Sequence, residues 1–239
     1  MRTVSTFLVE EYSWDLTLDE ATEMFRVYAD DLDELAERLE GRWYECSDDP
    51  RGIANIIEAY AQRVLAESVP RKLWDYVDEE KLVEAITDCM AIYRVHHEGQ
   101  VMYVLDNNSI DWDNLYNEDL DLMPIVENNL EQRTYAVSPY AFADLFGADV
   151  KRILEEAKDV SDVAQLDSDN LKTYECWNDV VSDIESELSN EIKYALGKIP
   201  KFLDIDVYVR DFVGQFVVFL IKRDNLKFFV LFRQHGGDA

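Results

Sequence analysis

Two proline-centred stretches, Val69-Pro70-Arg71-Lys72-Leu73 and Ile199-Pro200-Lys201-Phe202-Leu203, follow the same pattern and lie 130 residues apart. The same interval separates Tyr44-Glu45-Cys46 from Tyr174-Glu175-Cys176. One short match arises easily by chance, but a shared order, a shared interval and a shared proline together do not. The chain is therefore predicted to contain an internal duplication.

Helix and turn signals surround the first of these stretches. Thr17 and Glu20 form a capping box, and Asp49-Pro50 places an N-cap residue before a proline at the first helical position. Two strand patterns, Met90–Val95 and Gln100–Leu105, flank a turn that contains Gly99 and predict a β-hairpin.

The second half repeats this order of signals. Asp179 is predicted to correspond to the helix cap Asp49. After the prolines the interval falls to 126, which relates Asp78 to Asp204 and aligns the two hairpins. Repeated signals of this kind predict two copies of one arrangement of helices and strands.

The resulting prediction is an α+β protein with two similar lobes. Each lobe has several helices and a small antiparallel sheet that ends in a β-hairpin. The first lobe is predicted to span residues 1–105 and the second 133–239. The stretch Val95–Gln132 contains nine carboxylates and no Lys or Arg, and residues 106–132 are predicted to be an acidic junction between the lobes.

The charge of the chain excludes several classes of partner. There are 51 Asp and Glu against 23 Lys and Arg, which gives a net charge of −28 and an isoelectric point near 4.3. Such a surface repels phosphate backbones and anionic membranes, so neither nucleic acid nor membrane is predicted as a partner. It attracts basic proteins and proteins with basic clefts.

The sequence also indicates a compartment. No run of about 18 apolar residues is present, which predicts no membrane span. The three cysteines, Cys46, Cys89 and Cys176, form no CxxC pair and are predicted to be reduced thiols in a cytoplasm.

Motifs that carry catalysis or bind cofactors are missing from the sequence. There is no GxGxxG, GxxxxGK[ST], GxSxG or HExxH pattern. The three histidines, His96, His97 and His235, lie at a predicted hairpin end and in the C-terminal tail. The run Asp106–Asp111 begins like a calcium loop but has Ile110 at the fifth position. The chain is predicted not to be an enzyme and to need no cofactor and no metal.

The carboxylates concentrate in a few clusters at predicted helix starts and turns. Duplex DNA carries about one charge per 1.7 Å of axis, so an excess of 28 charges corresponds to roughly 48 Å of duplex. Each cluster alone also fits a solvated helix face. The candidate phosphate-mimicking residues are Asp30, Asp31, Asp33, Glu34, Glu37, Asp48, Asp49, Asp78, Glu79, Glu80, Asp111, Asp113, Glu118, Asp119 and Asp121.

Three uses of this acidity compete: DNA mimicry, adaptation to high salt, and the surface of an immunity protein that plugs a basic nuclease toxin. Residues 1–120 hold 29 acidic and 10 basic side chains, and residues 121–239 hold 22 and 13. Salt adaptation should acidify both halves alike, whereas a binding face need not. The uneven charge therefore favours a binding face.

A family resemblance rests on the proline-centred motif. Val69-Pro70-x-x-Leu73-x-x-Tyr76-Val77-Asp78, followed by a short helix and a hairpin, resembles the C-terminal part of the ArdA-type antirestriction proteins. Ile199-Pro200-x-x-Leu203-Asp204-x-x-x-Tyr208-x-Arg210-Asp211 is similar to the same segment. The resemblance covers about residues 15–105 and 139–232, which correspond to two copies of the family's middle and C-terminal domains. The family's N-terminal domain has no counterpart.

This resemblance implies an elongated, acidic DNA mimic, encoded by a phage or another mobile element, that evades host defence. It would occupy the DNA-binding cleft of a type I restriction–modification complex, as a monomer or a homodimer. Two alternatives remain open: an anti-CRISPR inhibitor that uses the same DNA mimicry, and an immunity protein against a basic nuclease toxin.

Overall fold

Most helices and strands of the first half recur in the same order in the second half, which has one additional helix. The computed structural model describes residues 2–117, 120–223 and 226–234. The first half contains α1 (Arg2–Tyr12), β1 (Ser13–Thr17), α2 (Leu18–Phe25), α3 (Leu32–Leu39), β2 (Tyr44–Ser47), α4 (Pro50–Ser68), α5 (Glu79–Asp88), β3 (Ala91–His97) and β4 (Gln100–Asp106), followed by the short β5 (Tyr116–Asn117). The second half contains α6 (Met123–Glu131), β6 (Thr134–Val137), α7 (Pro139–Phe146), α8 (Ala148–Glu156), α9 (Val160–Val163), β7 (Leu171–Tyr174), α10 (Trp177–Leu196), β8 (Ile199–Pro200), α11 (Ile205–Val213), β9 (Phe216–Arg223) and β10 (Leu226–Arg233). Short 3₁₀ helices span Arg71–Tyr76, Trp112–Leu115 and Ala164–Leu166.

Each half builds a four-stranded sheet with the same strand order. The orders are β1-β3-β4-β2 and β6-β9-β10-β7, and in each sheet the first strand is parallel to its neighbour while the other pairs are antiparallel. The predicted α+β fold, with small sheets that end in hairpins, is confirmed. The sheets are mixed rather than wholly antiparallel, because β1 and β6 each add a parallel edge strand.

The capping box and the hairpin turn predicted from the sequence are both present in the structure. Thr17 Oγ1 accepts a hydrogen bond from the Glu20 amide, and the Glu20 carboxylate accepts one from the Thr17 amide, so the capping box starts α2. Glu98 and Gly99 both have positive φ, 49° and 81°, which is the backbone of the two-residue turn that matches the twist of a hairpin. The corresponding turn residues Asp224 and Asn225 lie outside the described residues.

The strand registers show where the repeat begins. Ser13 pairs with Ile92, and Thr134 pairs with Val218. The hairpins correspond at an interval of 126, so β1 and β6 correspond at an interval of 121. The helices α1 and α6 precede these strands, and α6 lies within the predicted junction 106–132. That segment therefore supplies the first helix of the second repeat rather than only joining two lobes.

Two of the predicted correspondences are wrong by three residues. Tyr44 pairs with Asp106, and Leu171 pairs with Phe232, so Leu171 and not Tyr174 corresponds to Tyr44, at an interval of 127. At the same interval Asp49 corresponds to Cys176, which directly precedes α10. Asp179 is the third residue of α10 and does not cap it. The extra helix α8, between α7 and α9, accounts for the increase of the interval from 121 at β1 and β6 to 127 at β2 and β7.

Apolar side chains from two helices cover one face of the first sheet. Leu18, Leu35 and Val104 belong to one buried cluster there. The ring of Phe25 meets those of Tyr44 and Tyr93 edge-on, at centroid distances of 5.0 and 5.4 Å. Burial of such side chains at about 25 cal/mol per Å² of apolar surface is the main stabilising term of the unit.

The second sheet has an equivalent buried cluster. Phe142, Leu154 and Val230 pack together on one face. Phe146 corresponds to Phe25 and meets Phe219 edge-on at 5.8 Å. The same aromatic contact therefore recurs at the end of the helix that follows the parallel strand.

The chain divides into two units that do not coincide with the predicted lobes. Unit 1 contains residues 1–118 and 195–204, and unit 2 contains 119–194 and 205–239. The segment 195–204 belongs to unit 1 because its backbone pairs there: β8 pairs with β5, and Phe202–Asp204 lie antiparallel to Tyr76–Asp78. Within the described part of the chain, no helix combines the length and apolar character that crossing a membrane requires.

Candidate partner-binding surface

The carboxylates of this protein lie at its surface. Among the described side chains no Asp or Glu is buried, and Thr87 is the one buried polar or charged residue. Charged groups avoid burial because desolvation costs several kcal/mol per ion. The surface carboxylates therefore fall into two groups: those that already make hydrogen bonds or ion pairs within the fold, and those that remain available to a partner.

The densest cluster lies at α3 and is called here the α3 cluster: Asp30, Asp31, Asp33, Glu34 and Glu37. Asp31 caps the helix, since its carboxylate accepts a hydrogen bond of 2.8 Å from the Glu34 amide. Glu34 accepts hydrogen bonds from the Asp30 amide and from Arg38, at 3.1 and 3.0 Å, and these hold its pKa below the usual range. The exposed side chains of Asp33 and Glu37 have no partner among the described residues.

The remaining candidates in unit 1 are divided between capping and solvent exposure. Asp49 caps α4 by accepting from the Arg51 amide at 2.9 Å. Asp78 caps α5 by accepting from two amides at 3.1 Å. Exposed neighbours that make no such bond within the described chain are Asp48, Glu79 and Glu80.

The candidates of the acidic stretch include one helix cap, Asp111, which begins the 3₁₀ helix Trp112–Leu115, and a carboxylate beside the start of α6, Asp121. Asp111 accepts from the Asp113 amide at 3.2 Å, and Asp121 accepts from the Met123 amide at 3.0 Å. Asp113 is 3.4 Å from Lys198 Nζ. Glu118 and Asp119 lie outside the described residues.

The repeat separates carboxylates that the fold needs from those that it does not. Asp159 and Asp162 in the second repeat make the same pair of hydrogen bonds as Asp31 and Glu34, so this pair is a helix-capping device of the fold. At the interval of 128 that relates the two helices, Asp33 corresponds to Ser161 and Glu37 to Gln165. Asp30 likewise corresponds to Lys158. The three additional carboxylates of the α3 cluster are therefore not required by the architecture.

Packing creates one group of carboxylates that the sequence analysis missed. The carboxylates of Glu84, Asp88 and Glu11 lie near the Tyr12 hydroxyl. Burial, followed by the repulsion of these three carboxylates, raises the pKa of Tyr12. The signal for two of them was the spacing of Glu80, Glu84 and Asp88 along one face of α5.

Histidine and cysteine form no reactive constellation in the described part of the chain. His96 Nε2 is 2.9 Å from Asp15 Oδ1, which also lies 2.6 Å from Arg94 Nε. His235 lies outside the described residues. No group of three or more His, Cys, Asp and Glu side chains is placed to hold a metal ion within the ranges described.

Comparison with known proteins gives no relative from which a function of this surface could be inferred. No protein-family model, no curated protein and no solved structure matches the chain.

Proposed function

We propose that this chain is an inhibitor that occupies the DNA-binding cleft of a bacterial defence enzyme by presenting carboxylates in place of phosphates. The target most in keeping with the sequence resemblance is a type I restriction–modification complex. The proposal involves no catalysis. The protein would be an acidic ligand for a basic cleft, and its effect would be competition with DNA.

The observation that carries this proposal is the surplus of exposed carboxylates in the α3 cluster. Five carboxylates lie between Asp30 and Glu37; Asp30 and Asp31 precede α3, and the three on the helix, Asp33, Glu34 and Glu37, span about 6 Å of its axis. One charge per about 2 Å is close to the 1.7 Å of duplex DNA. Arg38 is the one cation that pairs with the cluster among the described residues.

The mechanism is electrostatic attraction followed by competition. Lys and Arg in a DNA-binding cleft are placed to meet a row of phosphates, and a row of carboxylates offers them the same charge-assisted hydrogen bonds. The net charge of −28 also steers the chain toward such a cleft and raises the rate of association. Because the contact is spread over many carboxylates, neutralising one of them should change binding little.

The test is displacement of a labelled DNA duplex from a purified type I restriction–modification complex, measured by fluorescence anisotropy. The test variant neutralises the α3 cluster with Asp→Asn and Glu→Gln changes at its five positions. Asparagine still caps a helix, so α3 should remain folded. We expect the concentration for half displacement to rise by at least about tenfold, since loss of several charge-assisted hydrogen bonds is worth a few kcal/mol.

A matched control has the same change in net charge in unit 2. It carries Asp149→Asn, Glu155→Gln, Glu156→Gln, Asp159→Asn and Asp162→Asn. If the control weakens displacement as much as the test variant, the binding face is not at α3. Failure of the wild-type chain to displace DNA removes this target, and the same assay with a CRISPR nuclease or capture of a small basic toxin then decides between the alternatives.

A further inference from the structure

An aromatic cleft of about 430 Å³ lies in unit 1, between α4 and the segment 110–116. Tyr60 and Trp112 line it, with ring centroids 6.1 Å apart and planes inclined at 52°, and Tyr116 contributes a third ring. Trp112 is 40 % exposed, so its ring is accessible from solvent. Arg63 and Glu67 stand at the side of the cleft that α4 provides.

Two cations of the chain itself already contact residues that line this cleft. Lys198 Nζ lies 5.8 Å from the centroid of Tyr116 and 3.4 Å from the carboxylate of Asp113. Arg63 Nε lies 3.1 and 3.2 Å from the two carboxylate oxygens of Glu67. Aromatic faces attract cations through the ring quadrupole. Exposed ion pairs four residues apart on a helix are weak, so an incoming cation can replace Arg63 beside Glu67.

The second repeat does not reproduce this cleft. At the interval of 127 that relates α4 and α10, Tyr60 corresponds to Glu187, Arg63 to Asn190 and Glu67 to Tyr194. The same architecture therefore folds without these side chains. Their presence in the first repeat calls for a reason other than the stability of the fold.

We propose that this cleft receives an arginine side chain of the basic partner, with the guanidinium stacked on Trp112 and Tyr60 and paired with Glu67. This inference rests on the proposed function and names the chemistry of one contact within it. Arginine fits better than lysine, because its planar, weakly hydrated guanidinium stacks on aromatic rings and binds a carboxylate through two hydrogen bonds. Asp111 and Asp113 flank Trp112 in the sequence and add negative charge beside it.

The test compares two eight-residue peptides of equal charge, one of alternating arginine and glycine and the other of alternating lysine and glycine. Dissociation constants are measured by calorimetry at 0.15 M and 0.5 M NaCl. We expect the wild-type chain to bind the arginine peptide about fivefold more tightly, as for one partly exposed cation–π contact. The ratio should persist at the higher salt, where the general attraction between opposite charges is screened.

Variants locate this preference. Trp112→Leu and Tyr60→Leu keep apolar volume in the cleft and should each reduce the ratio to about one. Trp14→Leu removes a more exposed tryptophan of the same unit and should leave the ratio unchanged. Thermal unfolding of each variant checks that it is folded. If a cleft variant does not fold, the ratio of the two dissociation constants for the wild-type chain tests the arginine preference by itself.

Equal binding of both peptides by the wild-type chain overturns this inference, as does a ratio that survives both cleft substitutions. Neither result touches the DNA-displacement assay, which depends on the α3 cluster. Conversely, an arginine preference in a chain that displaces no DNA from any defence enzyme would leave the cleft as an arginine site and reject the proposed function.

Discussion

Among single residues, the three thiols occupy very different surroundings. Burial, with added repulsion from nearby carboxylates, raises the pKa of Cys46 and that of Cys89 to about 11. Cys176 is exposed. Since the thiolate is the reactive form, the two shielded thiols should react slowly at pH 8. We expect an aromatic disulfide reagent to modify one thiol quickly in the native chain and three in denaturant. The change Cys176→Ser should remove the fast phase, and two fast thiols in the native chain would contradict this assignment.

Asp15 links stability to pH. Hydrogen bonds from Arg94 and His96 hold the pKa of this carboxyl below its usual range. A carboxyl whose folded pKa lies below its unfolded pKa of about 3.9 stabilises the fold above that value, and the contribution is lost as pH falls through the folded pKa. We expect Asp15→Asn to lose less stability than wild type between pH 7 and pH 2.5, measured by urea unfolding. Asp33→Asn, at a carboxylate with no described partner, should follow the wild-type curve.

At the scale of helices and strands, the caps contribute measurable stability. Asp31 begins α3 with a carboxylate that accepts the Glu34 amide. We expect Asp31→Ala to lower the free energy of unfolding by about 1 kcal/mol, and Asp31→Asn to change it much less, because asparagine caps equally well. Asp33→Ala, two residues further along the chain, should stay within about 0.5 kcal/mol of wild type. Chemical unfolding at pH 7 measures all three variants. Equal losses for Asp31→Ala and Asp31→Asn would mean that charge, and not the cap, is responsible.

The elements that the sequence predicted are those with a local signal. The capping residues Thr17 and Asp49 and the turn at Gly99 each act within a few residues of chain. The edge strand β1 escaped prediction because Trp14 and Asp15 are both exposed and break the alternation of a half-buried strand. Its place in the sheet depends on pairing with β3, about 80 residues away.

The same distinction, between features set by neighbouring residues and features set by distant packing, applies to the candidate surface. Exposure of the predicted carboxylates could be foreseen, because Asp and Glu are rarely buried without a partner. The capping role of Asp49 followed from its position directly before Pro50. The grouping of Glu11 with Glu84 and Asp88 could not be foreseen, since it depends on the packing of α1 against α5. The three-residue error in the predicted repeat could not be foreseen either, because the interval of 127 follows from the pairing of β2 with β4 and of β7 with β10.

For the whole molecule, the charge has two consequences of opposite sign. A net charge of −28 destabilises the folded state by self-repulsion, and salt screens that repulsion. The Debye length falls from about 30 Å at 0.01 M to about 10 Å at 0.1 M salt. We therefore expect the midpoint of thermal unfolding to rise by several degrees between 0.01 and 0.2 M NaCl. The rise should then level off, because most repulsion between exposed carboxylates is already screened.

Binding to a basic partner must respond to salt in the other direction. Screening weakens the attraction between the carboxylates and the cations of a cleft, so displacement of DNA should require more of the chain at 0.2 M than at 0.05 M NaCl, after correction for the weaker binding of DNA itself. The variant neutralised in the α3 cluster should show a smaller dependence than the matched unit 2 control. Calorimetric titration of the enzyme without DNA gives the same slope free of that correction. A chain that becomes more stable with salt yet binds its partner independently of salt would be acidic for a reason other than mimicry of a polyanion.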